Sequence, residues 1–133
     1  MVGTPRFDRA EVLAHTARTF AERGYAGASI SHLVDATGLL RGSLYGAFGS
    51  KAGLFREALR QAVAASPGSA PLVLDLIVVA LRERAAHDPA VSETVRSALR
   101  ALGEAGAQPG ELLYARLLDR AGLPGRTATA GAP

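Results

Sequence analysis

The stretch SISHLVDATGLLRGSLYGAFGSK, residues 29–51, decides how this chain is read. Ser29 is a helix-capping residue set just ahead of Ile30, Leu33 and Val34, which recur on one face of a helix. The spacing predicts a short helix over Ile30–Thr37, stopped by Gly38, and another over about Arg41–Phe48, with Leu44 and Phe48 one turn apart. Two short helices joined by so tight a turn, Gly38-Leu39-Leu40, make a helix-turn-helix, whose second helix can enter the major groove of DNA.

Three features of the second helix favour that reading over an ordinary helical hairpin. Arg41 and Lys51 each stand at a helix N-terminus, where a cation opposes the dipole at a cost of about 0.3–1 kcal/mol. A phosphate docked there reverses the sign, because N–H groups and cation then face the same anion. Gly42 and Gly46 lie four apart on one face, each costing the helix about 1 kcal/mol relative to Ala, which suits a face that must approach another backbone closely. Ser43 and Tyr45 are polar-tipped groups that the packing of Leu44 and Phe48 turns outward. Singly, each feature also fits a poor helix held by tertiary contacts; in this order they favour a nucleic-acid face.

Working outward, a helix is expected from about Asp8 to Arg23, with Ala10, Leu13, Ala14, Ala17, Phe20 and Ala21 as its apolar stripe and Gly24 just past its end. After Gly49-Ser50 another runs from Lys51 to about Ala65, burying Leu54, Phe55, Ala58, Leu59, Ala62 and Val63. Six of the seven aromatics fall in the first 55 residues, which would let this head form a core of its own. Ser66–Pro71 reads as a linker. A fifth helix is expected from Leu72 to about His87, nearly all apolar at its start, and a sixth opens at Asp88-Pro89 and runs to about Leu102. Val91, Val95, Ala98 and Leu102 are spaced as the seam of a helix pair. A loop over Gly103–Gly110 leads to a seventh helix, about Glu111–Ala121, striped by Leu113, Tyr114, Leu117, Leu118 and Ala121. The expected fold is therefore all-α: a three-helix helix-turn-helix head over residues 5–65, a small helical bundle over 72–123, and a disordered tail over 124–133.

Composition narrows the function. The 133 residues include no Cys, which excludes disulfides and thiolate metal sites, and His15, His32 and His87 share no ligand spacing. No acid/base pair or activated nucleophile suggests an enzyme, and no cofactor is implied. No apolar leader opens the chain, and Leu72–Leu81, the most apolar run, is about half the length of a membrane span, so a cytoplasmic location is expected. The net charge of +3 sits wholly on residues 1–65, with eight cations against five acids, as befits a partner of a polyanion.

The stretch Phe7–Leu59 resembles the DNA-binding head of the tetracycline-repressor (TetR) family, on the strength of RTFAERGYAGASISHLVDATG (Arg18–Gly38) and RGSLYGAFGSKAGLF (Arg41–Phe55). A weaker similarity lies at His87–Val91. The resemblance implies a homodimer setting two recognition helices on a palindromic operator in double-stranded DNA, usually as a repressor, and released by a small apolar effector. It implies DNA contacts from Ser29, Ser31, Arg41, Gly42, Ser43, Tyr45, Gly46 and Lys51. Asp75 and Val79 are candidates for an effector site, though Asp75 reads better as a first-turn acid helping a helix dipole. Val91, Val95, Ala98, Leu102, Leu113 and Leu117 are candidates for a dimer interface, or for packing within one subunit. Three positions depart from the family pattern: Leu40 stands where a capping hydroxyl is usual, Ala47 where a His is common, and Gly53 where a better helix former belongs. These departures and a regulatory part of only about 65 residues leave a second reading open: a shortened relative that dimerises, binds DNA weakly and modulates another regulator.

Overall fold

Caps written into the sequence start three of the first four helices. In the computed structural model, which describes residues 7–123, the Asp8 carboxylate accepts the free N–H groups of Ala10 and Glu11 and starts α1 (Arg9–Arg23). Gly24, at φ +83°, ends it with a bond from its N–H to the Phe20 carbonyl. Ser29 starts α2 (Ile30–Thr37) and left-handed Gly38 stops it. Helix α3 (Arg41–Phe48) follows, and the Ser50 hydroxyl opens α4 (Lys51–Ala65) by accepting from Gly53 N–H at 3.0 Å.

The aromatic residues form the hub. Phe20 and Phe55 are fully buried and meet edge to face at 5.1 Å between ring centres. Tyr25 stacks on Phe20 at 5.8 Å and meets the edge of Phe55 at 5.5 Å. Each such pair adds about 0.5–1.5 kcal/mol beyond the area it buries. The core does not stop at the head, however. Val73, Leu76 and Ile77 join Val12, Phe20, Leu33, Leu54 and Leu59 in one continuous cluster, so head and body share a single interior.

Helix α5 begins at Pro71 and keeps α-helical geometry only to Val79; Ala80–Arg84 then form a π-helical turn, closed by the Ala85 N–H on the Ala80 carbonyl at 2.7 Å. The expected single helix from Leu72 to His87 is corrected accordingly. Its apolar run specified a buried helix, but the widened turn is held by contacts to distant residues, described below. Helix α6 (Pro89–Glu104) is capped by Asp88, and α7 (Pro109–Arg120) starts two residues earlier than its stripe suggested, with Pro109 in its first turn. All seven α-helices of the described residues, with no strand among them, bear out the all-α class. The tail expected over 124–133 lies outside the described residues.

Helix α6 packs on α4 and on the π turn, burying Val91, Val95, Ala98 and Leu102 to between 1 and 7% exposure. Helix α7 packs mainly along α5 and has no fully buried residue. Its anchor is ionic. Asp75, 7% exposed, receives Arg116 Nε at 2.8 Å and Nη2 at 3.0 Å, and Arg120 Nη1 at 2.9 Å. The Asp75 hydrogen bond, outweighing the burial that opposes it, pushes the Arg116 pKa above its ordinary value. Arg120 Nη1 also donates to the Ala21 carbonyl at 3.1 Å, so α7 grips α1 as well.

Candidate nucleic-acid interface

Leu44 and Phe48 turn the inner side of α3 into the core, at 0 and 6% exposure. That fixes what faces out: Arg41, Gly42, Ser43 and Gly46 are exposed. Nothing lies within 4 Å of a Cβ added at Gly42 or Gly46. Neither glycine is needed to fit this chain's own packing, so the helix carries a smooth notch on its solvent side. Tyr45 is half-buried against the core, and the Arg41 guanidinium rests over its ring at 5.8 Å. Ser43 and Arg41 thus offer donors beside a surface with no side chain to hold a second backbone away.

Ser29 and Ser31 are exposed at the start of α2. The Ser29 hydroxyl accepts the His32 N–H at 3.1 Å, and His32 Nδ1 in return accepts the Ser29 N–H at 3.0 Å. This closes a reciprocal cap with a histidine in the place usually filled by Glu or Gln. It leaves the Ser29 hydroxyl proton free to donate outward. His32 is therefore structural. Leu40 caps nothing and stands 75% exposed, so α3 begins without a side-chain acceptor.

Lys51 opens α4, as expected, but its side chain lies along the head's own aromatic core. Its ammonium lies 4.6 Å from the centre of the Tyr25 ring, and burial lowers its pKa against the opposing pull of Glu83. The Arg84 guanidinium covers the same ring at 4.5 Å. Tyr25 is in turn pushed above its ordinary pKa, chiefly by burial. The structure therefore groups Arg41 with Tyr45 and Lys51 with Tyr25.

Gly53 also needs a different account. A Cβ there would fall 2.2 Å from the Phe48 carbonyl oxygen, so glycine is what lets α4 leave α3 at this angle. The departure from the family pattern has a local steric cause.

The remaining candidates sort by burial. Asp75 is no open anchor for an effector, because both its oxygens are taken by Arg116 and Arg120, and Val79 is 9% exposed. Val91, Val95, Ala98 and Leu102 are spent within the subunit and are removed from the dimer interface. Spacing shows which residues of a helix are buried but not against what. Leu113 is half-buried, whereas Leu117 and Tyr114 are 49 and 65% exposed on α7. Sequence reading missed Arg9, which crosses Phe48 at 4.4 Å and pairs with Glu57 at 2.7 Å, and it missed Glu83, Arg84 and the Arg56–Asp88 pair. No local pattern announces contacts between residues 32 to 58 positions apart.

Fold and site together define a helix-turn-helix head seated on a helical body. Residues 12–58 match the family described as "Bacterial regulatory proteins, tetR family". That match lies wholly within the helix-turn-helix head, between α1 and α4. Over 57 residues, 43% of this chain, it is 42% identical to the "HTH-type transcriptional repressor AcnR" of Corynebacterium glutamicum and equally to that of Corynebacterium efficiens. The match covers 30% of each of those repressors. Among the described residues no helix is long and apolar enough to cross a membrane.

Proposed function

We propose that the chain is a sequence-specific DNA-binding transcriptional regulator, a repressor acting as a homodimer on a palindromic operator. The observation that carries this is the outer face of α3, where Arg41 and Ser43 flank the open notch of Gly42 and Gly46. Arg41, Ser43 and Tyr45 read bases or adjoining phosphates, Ser29 and Ser31 donate to phosphate from the start of α2, and Lys51 adds charge beside Tyr25. The two relatives named as transcriptional repressors support the direction of regulation. Dimerisation falls to α7, through Leu113, Tyr114 and Leu117, since the seam of α6 is covered. A small apolar effector would enter the groove of about 750 Å³ between α5 and α7, lined by Pro71, Leu74, Leu112, Tyr114 and Leu118.

Uncapped Leu40 favours one second reading, in which the chain pairs with another regulator and binds DNA weakly. Selection from a pool of random duplexes separates the two. The first reading requires a recovered consensus with two-fold symmetry and an affinity whose logarithm falls with that of salt by about 0.9 per phosphate contact. Arg41→Ala should then cost about 1–3 kcal/mol on the selected duplex alone. Recovery of no consensus, with sequence-indifferent binding at low salt, refutes it.

A further inference from the structure

We propose that Glu83 is a positioning residue for the recognition helices: from the body of the protein it fills an anion cradle in the head's backbone and so sets the seat of α2 and α3. The role in DNA binding rests on the function proposed above; the latch itself does not.

The chain between α1 and α2 is a connector of six residues, Gly24–Ser29. Two successive amides in it point at one carboxylate: the Tyr25 N–H donates to Glu83 Oε2 at 3.1 Å and the Ala26 N–H to Oε1 at 2.9 Å. Successive N–H groups converging after a positive-φ residue make a backbone receptor for an anion. Gly24 supplies that residue, and its missing side chain supplies the space, since a Cβ there would lie 2.8 Å from Glu83 Oε2. The rest of the connector is equally determined. A Cβ on Gly27 would fall 2.2 Å from the Arg23 carbonyl, and Ala28 is fully buried.

The π turn explains how the body reaches this cradle. Relative to a continued α-helix, the widened turn changes the bearing of the residues beyond Val79, and it places neighbouring Glu83 and Arg84 both on the connector. Arg84 covers the Tyr25 ring from the body while Lys51 covers it from α4. The Arg84 Nε is buried with no hydrogen-bond partner, so this guanidinium is held by the ring and by Asp88, 3.8 Å away, at the expense of its own donor. A helix that reads bases must be held to about 0.5 Å and 10–20° by its supporting contacts. The cradle lies at the one covalent link by which α1 positions α2.

The test uses the full chain with Glu83→Ala and Glu83→Gln. In Glu83→Ala the Tyr25 and Ala26 amides should exchange with solvent about ten- to a hundredfold faster, as expected for loss of hydrogen bonds to a charged group. Glu83→Gln keeps one acceptor oxygen and should expose one amide while the other stays slow. Affinity for the duplex selected by the wild type should fall about tenfold in Glu83→Ala, while affinity for an unrelated duplex changes less than about twofold. Formate, compared with chloride at equal ionic strength, should restore both amide protection and selected-site affinity in Glu83→Ala only. Unchanged exchange overturns the latch. Equal loss on both duplexes, or no rescue by formate, overturns the positioning role. If the wild type selects no duplex, the DNA reading fails and the positioning role with it, while the two amides and formate still report whether the latch exists.

Discussion

The Arg56 guanidinium donates to Asp88 Oδ2 at 2.8 Å, joining the middle of α4 to the capping residue of α6. Asp88 is 6% exposed and also accepts the Ala90 N–H through Oδ1 at 3.1 Å. Burial alone would raise its pKa, but the Arg56 hydrogen bond and charge, with the N–H groups of Val91 and Ala90, outweigh burial and hold the carboxyl below its ordinary value.

A depressed pKa gives stability that is complete above the unfolded value, about 3.9, and is lost as pH falls through the folded value. Asp88→Asn keeps an equally good cap but removes the charge. The variant should melt below the wild type at neutral pH, and the gap should close as the solution is taken below about pH 4. A gap that is constant with pH would assign the whole effect to packing.

Glycine-to-alanine changes should part company between Gly42 and Gly53. Gly42→Ala and Gly46→Ala each enter open space and should stabilise by about 1 kcal/mol, while weakening binding to the selected duplex. Gly53→Ala gains the same propensity but collides with the Phe48 carbonyl, and should lower the melting temperature. Stabilisation by all three, with DNA affinity unchanged, would leave the notch without a purpose.

Leu40→Ser should supply the acceptor that α3 lacks. The side chain is exposed, so little packing is lost, and the gain should be about 0.5–2 kcal/mol in denaturant unfolding. No gain would mean that the first turn of α3 is already satisfied.

If α7 forms the proposed interface, Leu117→Glu should shift dimers to monomers in sedimentation equilibrium, with the melting of the monomer hardly altered, because Leu117 is half out in solvent. Val95→Ala should do the reverse, destabilising the fold by about 2 kcal/mol and leaving the association constant alone. Monomers at every concentration of wild type would remove α7 from the proposed interface.

Local chemistry made much of this legible in the sequence. Asp8, Ser29, Gly24, Gly38 and Ser50 bound their helices with groups only two to four residues away, so α1 to α4 were placed to within a residue. The outer face of α3 followed from Leu44 and Phe48 for the same reason. What was hidden depends on distant partners. Asp75 meets Arg116 across 41 positions, and Glu83 meets Tyr25 across 58. Neither partner is marked by spacing, and the apolar run from Leu72 to Leu81 carries no trace of where its helix must widen. Gly53 was misread because helix propensity is a property of one element, whereas its cause is the carbonyl of the element before.

The widened turn at Ala80–Arg84 takes up one residue more than ordinary helical pitch has room for. Wound as a continuous α-helix, the same residues would leave everything downstream about 100° out of its present bearing on α5. Asp88 would then swing away from Arg56, and Glu83 and Arg84 would leave Tyr25 together. Loss of one residue within the turn is the exception, because it closes the helix to α pitch while the residues beyond keep their bearing. Divergence among relatives sharing this arrangement should therefore show single-residue length changes at this turn rather than elsewhere along α5.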